Sequence, residues 1–260
     1  MKDQVIVITG GSAGIGRAVA ARVARDGAIP VLVARREPEL AEAARAASPA
    51  AVPIVADVTR RGDVERVVAT ALARLGRIDV WINNAGRGIT RPVSQLVDAD
   101  VDEMVTVNVK SVLYGMQAVL PHFKERRRGH IVNISSMLGR VPFLHTRSAY
   151  SASKHFVNSL TANLRMELRS EFPDIAVSLV TPGVVATDFG NNALGGGGDS
   201  RAIPGAQPVD EVAEVIAGCI ASRRADVYTR PGYQQQIVSY FAAEDLGAYE
   251  ATLGGVPRPK

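Results

Sequence analysis

The sequence predicts a single α/β domain built on a doubly wound parallel sheet. Three observations carry this. Short β-branched runs alternate with amphipathic helical stretches along most of the chain. The runs are almost continuously apolar, as strands covered on both faces must be. The chain has 260 residues, 47% of them hydrophobic, with no Pro/Gly/Ser linker, which fits one large core. Aromatics make up only 5%, so Ala, Val, Leu and Ile fill that core.

In order, the first strand is Gln4–Thr9 (QVIVIT), followed through glycines by a helix over Ile15–Arg25 that Gly27 stops. Pro30–Ala34 is the second strand, Glu37–Ala47 a helix, Val52–Ala56 the third strand, Asp63–Leu75 a helix and Ile78–Ile82 the fourth strand. A long helix over Asp102–Arg127 leads to His130–Ile134. A helix over Ser148–Glu171 leads to Ile175–Val180, and a helix over Pro208–Ser222 leads to a short seventh strand at Asp226–Thr229. Right-handed crossovers would place helices on both faces. Residues 1–232 then form the main body, and residues 233–260 an extension of the same domain, a helix followed by a loose tail over 254–260. Within the body, residues 188–207 contain Gly195–Gly198 and read as a mobile loop.

Charge excludes some classes of function. The net charge of +4 is scattered, and the one basic run, Lys124–Arg128, ends a helix before Gly129, where cations and glycine are ordinary capping. It lacks the interleaved aromatics of a nucleic-acid surface. Cys219 is the single cysteine, so no disulfide forms within the chain, which suits a reducing cytoplasm. No signal peptide opens the sequence, no apolar run has the length of a membrane span, and the four histidines lack metal-ligand spacing.

The chemistry is written in a few short stretches. Thr9–Gly16 (TGGSAGIG) joins the first strand to the first helix. There Gly10, Gly14 and Gly16 let the backbone turn and approach a pyrophosphate. Ser12, Ile15 and the helix N-terminus offer N–H groups and a positive dipole end. This is a Rossmann-type dinucleotide site. Its spacing is G-x-x-x-G-x-G rather than G-x-G-x-x-G. At the end of the second strand stand Arg35 and Arg36 with no carboxylate, which favours NADP(H): a guanidinium pairs with a 2′-phosphate that an acidic side chain would repel. Asp57 follows the third strand, placed to meet the adenine. Asn83–Gly86 follows the fourth, its Asn84, Ala85 and Gly86 walling the cofactor. Tyr150 and Lys154 lie four residues apart, on one face of a helix, where the ammonium favours the phenolate and lowers the tyrosine pKa.

These stretches, taken in order with Asp57-Val58, Asn108, Ser135-Ser136 and Pro182-Gly183 with Thr187, make residues Val5 to Gly232 resemble the short-chain dehydrogenase/reductase family. The resemblance implies a hydride transfer between NADP(H) and a carbonyl or secondary alcohol. Tyr150 would be the general acid/base and Lys154 would also hold the nicotinamide ribose. Ser136 would bond the substrate oxygen, and Asn108 would hold a water leading from Lys154 to solvent. Pro182, Gly183, Val185 and Thr187 would border the nicotinamide. Thirteen residues separate Ser136 from Tyr150, one more than is usual there, so Ser135 is a reserve for the serine role. Met137, Leu138, Phe143, Leu144, Val184, Phe189 and Leu194 would line a pocket for a small apolar substrate. Two other readings compete: an NADP-binding regulator that has lost turnover, and an epimerase or dehydratase of the extended relatives. The four intact catalytic positions oppose the first. Against the second, only about thirty residues follow the seventh strand. Five of the thirteen aromatics (Tyr228, Tyr233, Tyr240, Phe241 and Tyr249) crowd the last 33 positions. Together with the habits of related enzymes, this predicts a homodimer or homotetramer.

Overall fold

Side-chain alternation along the strands fixes the layers of this protein. In the computed structural model, which describes residues 1–253, seven parallel strands form one sheet in the order β3-β2-β1-β4-β5-β6-β7. They are β1 (Val5–Thr9), β2 (Ile29–Ala34), β3 (Val52–Val55), β4 (Val80–Asn83), β5 (Gly129–Ile134), β6 (Ile175–Thr181) and β7 (Asp226–Tyr228). Successive side chains point to opposite faces. Val5, Val7, Val31 and Val33 therefore join one core, with Trp81 and Phe123, while Ile6, Ile8 and Leu32 join the other. Helices α1 (Gly14–Arg25), α2 (Glu37–Ala47) and α7 (Val209–Ser222) cover the second face. The first is covered by α3 (Arg61–Leu75), α5 (Ser111–Glu125) and α6 (Ser148–Leu168). Strand β1 pairs with β2 on one side and β4 on the other, so the winding reverses beside it. Ligands of such sheets bind at the strands' carboxyl ends at that reversal.

Most expected boundaries fall within one or two residues of the observed ones. The long central helix is the exception. It begins four residues early, as α4 (Asp98–Met104), because the Asp100 carboxylate reaches back to the Val97 N–H at 3.1 Å and caps the helix start. It then passes through a π turn over Val105–Lys110 before α5. There the Ser111 N–H reaches Thr106 O, five residues back. The helix expected to run to Glu171 ends at Leu168.

The extension folds as α8 (Tyr233–Phe241) and α9 (Leu246–Leu253); the tail expected over 254–260 lies outside the described residues. The aromatics read as an interface turn onto the chain itself. Tyr240 is buried and meets Phe143 and Tyr249 edge to face, at centroid separations of 6.4 and 5.8 Å. With Ile237, Tyr233 and Leu253 they pack on Met137 and Val141. Phe241 alone of these aromatics stays largely exposed.

Candidate active site

The glycine turn sits where β1 meets α1. Gly10 and Gly14 hold φ of +66° and +51°, a region other residues rarely adopt. At Gly16 any Cβ would lie 2.4 Å from Gly10 O, so only glycine lets the helix start this close to the turn. No side chain caps α1 at Ala13, so its first N–H groups stay available to an anion. Thr187 stands over this end, its Cγ2 3.5 Å from where a Gly14 Cβ would be. Ser12 is buried within the turn, and Ile15 packs against the α1-side core. A cradle of unpaired N–H groups, closed by glycines, fits a dinucleotide pyrophosphate.

The surrounding residues are tied into the same region. Asn84 braces the cradle: its Nδ2 donates to Thr9 O at 2.8 Å, and its N–H to the Thr9 hydroxyl at 2.9 Å. Asp57 spends Oδ1 on its own turn, accepting from the Thr59 N–H and hydroxyl at 3.0 and 2.7 Å, beside a half-buried Val58. Arg36 pairs with Glu39 at 3.1 Å. Arg35 is exposed at the end of β2 and has no carboxylate partner among the described residues, so it is the guanidinium left for a phosphate. Pro182 O accepts from the Met137 N–H at 2.8 Å. Gly183 lies under Tyr233, whose ring leaves no room for a Cβ there, and Val185 is buried and bridges to Gln207.

Tyr150, Lys154 and Ser153 lie within the first two turns of α6, and all three are buried. Burial pushes the Tyr150 phenol up to about 12, while the neighbouring Ser136 hydroxyl and the Arg147 guanidinium pull the other way. Lys154 does not lower it in this state. Its Nζ donates to Ile134 O at 2.9 Å, stands 5.8 Å from the Tyr150 ring centroid, and is itself held down to about 8 by burial. The two neighbouring serines part company. Ser136 faces the phenol and accepts from the Leu138 N–H at 3.1 Å, whereas Ser135 donates to Asn158 Oδ1 at 2.5 Å.

Asn108 is fully buried in the π turn, where such bulges gather at functional sites. Its Oδ1 accepts from the Arg87 N–H at 2.8 Å, and its Nδ2 donates to Arg87 O at 2.9 Å and Ser153 Oγ at 3.1 Å. The side chain thus ties the turn after β4 to α6. A Cβ on Gly86 would lie 3.2 Å from Asn108 Oδ1 and 3.7 Å from Lys154 Nζ, so both atoms face one point.

The loop read as mobile is tied down at Leu194 and at Gln207. The Leu194 N–H donates to Gly88 O and the Thr90 N–H to Leu194 O; the Ala186 N–H donates to Gln207 O and the Gln207 N–H to Val184 O. Gln207 and Thr229 exchange side-chain bonds at 2.7 and 3.0 Å. Phe189 lies edge-on to Tyr150, 5.6 Å between centroids, while Leu138 and Leu194 pack around the same ring. Of the expected pocket wall, Met137 and Phe143 instead belong to the cluster under α8 and α9. Arg147 is the N-cap of α6, three residues before Tyr150. Ser153 and Asn158, at i+3 and i+8 from Tyr150, were not read from the sequence, although the helical period carries them.

A glycine turn feeds an uncapped helix at the reversal of a parallel α/β sheet, with a buried tyrosine, serine and lysine beside it. The family model for short chain dehydrogenase matches residues 4–194, and the chain belongs to that family. An uncharacterised oxidoreductase of Staphylococcus saprophyticus is 38% identical over 193 residues, 73% of this chain and 77% of that one. A short chain dehydrogenase/reductase of Burkholderia phymatum, solved with NAD, superposes with a TM-score of 0.82 at 26% identity over 100% of this chain and 98% of that one. A short-chain dehydrogenase of Sphingobium yanoikuyae, solved with NADPH, gives 0.79 at 29% identity over 99% and 97%. The protein is thus an oxidoreductase of this family, whose structural neighbours bind nicotinamide cofactors of both kinds. No helix among the described residues is long and apolar enough to cross a membrane.

Proposed function

We propose that this protein is an NADP(H)-dependent reductase or dehydrogenase of a small carbonyl or secondary alcohol, with Tyr150 as its general acid/base. The observation that carries this is that α6 buries Tyr150 and Lys154 one turn apart, with Ser136, also buried, just after β5. Without cofactor, burial keeps the phenol protonated, the form that can donate to a carbonyl. A pKa this high makes it a weak acid, and a Lys154 ammonium turned towards it on the ribose would bring it back towards the working pH. Ser136 shares its hydroxyl with the substrate oxygen and steadies charge forming there. Lys154 has two donors left after Ile134 O, and these hold the ribose hydroxyls. Asn108 Oδ1 and Lys154 Nζ both lie close to Gly86, so that Asn108 could hold a water on a proton path from the lysine. The Gly10–Gly16 cradle with Thr187 holds the pyrophosphate, and Gly86, Ala85 and Pro182–Val185 border the nicotinamide. When bound, that group supplies or accepts the two electrons.

NADP(H) is preferred because the unpaired Arg35 stands where the 2′-phosphate arrives. One charge-assisted pair is worth about 1.5–3 kcal/mol, roughly ten- to a hundredfold. Titration should therefore give NADPH an affinity at least about tenfold above NADH, and Arg35→Ala should remove most of that gap. Equal affinities in the wild type overturn the preference. Residues 1–232 serve as the catalytic body, with 188–207 roofing the site and α8 and α9 forming one of its walls.

A further inference from the structure

Four arginines stand around the mouth of the site, and three are matched by carboxylates. Arg87 pairs with Glu103 at 2.9 Å, Arg91 pairs with Asp100 at 2.6 Å, and Arg201 pairs with both Asp188 and Asp199. Arg147 is the fourth, and no carboxylate among the described residues lies within pairing distance of it. Its guanidinium makes one long bond, donating from Nη1 to Ile89 O at 3.3 Å. Yet it is the most deeply placed of the four with respect to the chemistry. A Cβ on Gly88 would touch Arg147 Nη1 at 2.9 Å and the Phe189 ring at 3.0 Å, and Phe189 lies on Tyr150. Arg147 thus reaches the space between the phenol, the 188–194 segment and the turn after β4. It is half-buried, and desolvation holds its pKa below the ordinary arginine value, with Tyr150 the group that offsets this. A guanidinium set into a partly apolar pocket without a counter-charge is costly unless a ligand provides one.

We infer that Arg147 is a specificity-determining residue that binds a carboxylate of the substrate, so that the carbonyl substrate is an oxo acid and the alcohol a hydroxy acid. This rests on the proposed reading of Tyr150 as the acid/base. A single cation with most of its N–H fork unused matches one singly charged carboxylate in bidentate fashion. A phosphate monoester would call for more positive charge than the otherwise apolar wall of Leu138, Phe189 and Leu194 supplies. Arg147 Nη1 and the Phe189 ring meet at one point beside Gly88, and that ring lies on Tyr150, so the carboxylate lies close to the carbonyl, as in 2-oxo and 3-oxo acids. The apolar wall then meets the remainder of the substrate, so the pocket is amphipathic rather than apolar throughout.

The test uses matched acids and esters: benzoylformate and its methyl ester, and acetoacetate and its methyl ester, each with NADPH. The inference predicts that the wild type favours the acid of at least one pair by about tenfold or more in kcat/KM. Arg147→Gln should collapse the acid-to-ester ratio towards one, mainly through KM, and Arg147→Lys should restore part of it. Calorimetric titration of the NADPH-loaded protein with each acid supplies a readout without turnover, and Arg147→Gln should weaken it about ten- to a hundredfold. Esters turned over as well as acids by the wild type would overturn the inference and leave the carbonyl reductase reading standing. An equal loss on acid and ester in Arg147→Gln would also overturn it, since that is the mark of a residue acting only through Tyr150. Arg147-dependent binding of an acid, with no carbonyl turned over, would support the inference and defeat the proposed reaction instead. No binding of either acid overturns the inference whatever the esters do.

Discussion

At the scale of single residues, the site is an arrangement of buried titratable groups whose shifts oppose one another. Lys154 is held near 8 against a reference of 10.5. Below pH 8 both folded and unfolded chains carry its proton, and the folded state bears the whole cost of a buried ammonium. Between about 8 and 10.5 the folded chain releases a proton that the unfolded chain keeps, so stability rises with pH. Tyr150 acts in reverse. From 10 to about 12 the folded chain keeps a proton the unfolded chain has lost, and stability falls. Cofactor-free protein should therefore gain stability from Lys154→Met at pH 7. The pKa difference is worth about 3 kcal/mol, less about 1 for the bond to Ile134 O, leaving about 2 kcal/mol. Urea denaturation should show this gain shrinking by pH 10; equal midpoints at pH 7 would refute it. The residue types were readable from sequence because the motifs are local: a tyrosine and a lysine one turn apart, glycines after a strand. Their energetics were not. The ammonium was expected to lower the phenol pKa, but burial acts on both groups, and it depends on Ile89, Met104 and Leu194, which are remote in sequence.

At the scale of elements, the strands were legible because both faces of each are covered, so every residue of a run is apolar and the run stands out. The start of α4 was missed because its cap is an Asp100 carboxylate that also answers Arg91, a tertiary cue. The segment 188–207 was read from its glycines alone, without its tertiary ties. Its glycines suggested freedom, but Leu194 is held by Gly88 and Thr90 through backbone bonds that no local pattern announces. Hydrogen exchange on the cofactor-free protein should therefore divide this segment. The amides of Leu194 and Gln207 should be protected, and those of Gly196 to Gly198 should exchange rapidly and slow when cofactor and substrate bind. Uniformly fast exchange, Leu194 included, would show that these anchors do not hold in solution.

At the scale of the whole molecule, the aromatic extension completes the chain's own wall, so it no longer argues for association. Among the exposed large apolar side chains are Phe156 and Met166 on α6, with Val238 and Phe241 on α8. Large apolar side chains left in water at such positions mark contact surfaces, and related enzymes commonly associate through the helices that here are α5 and α6. Light scattering at micromolar concentration should give at least twice the 27.5 kDa of one chain. A monomer would leave those side chains as scattered surface residues. The account turns finally on whether this fold performs carbonyl–alcohol redox chemistry through Tyr150. The direct measurement is nicotinamide-linked turnover over a panel of oxo acids, ketones and alcohols, with wild type and Tyr150→Phe side by side. That substitution removes the transferable proton with little change in volume. Turnover should fall by about two or more orders of magnitude while NADPH affinity holds within about twofold. A folded Tyr150→Phe protein with near wild-type turnover would contradict the account.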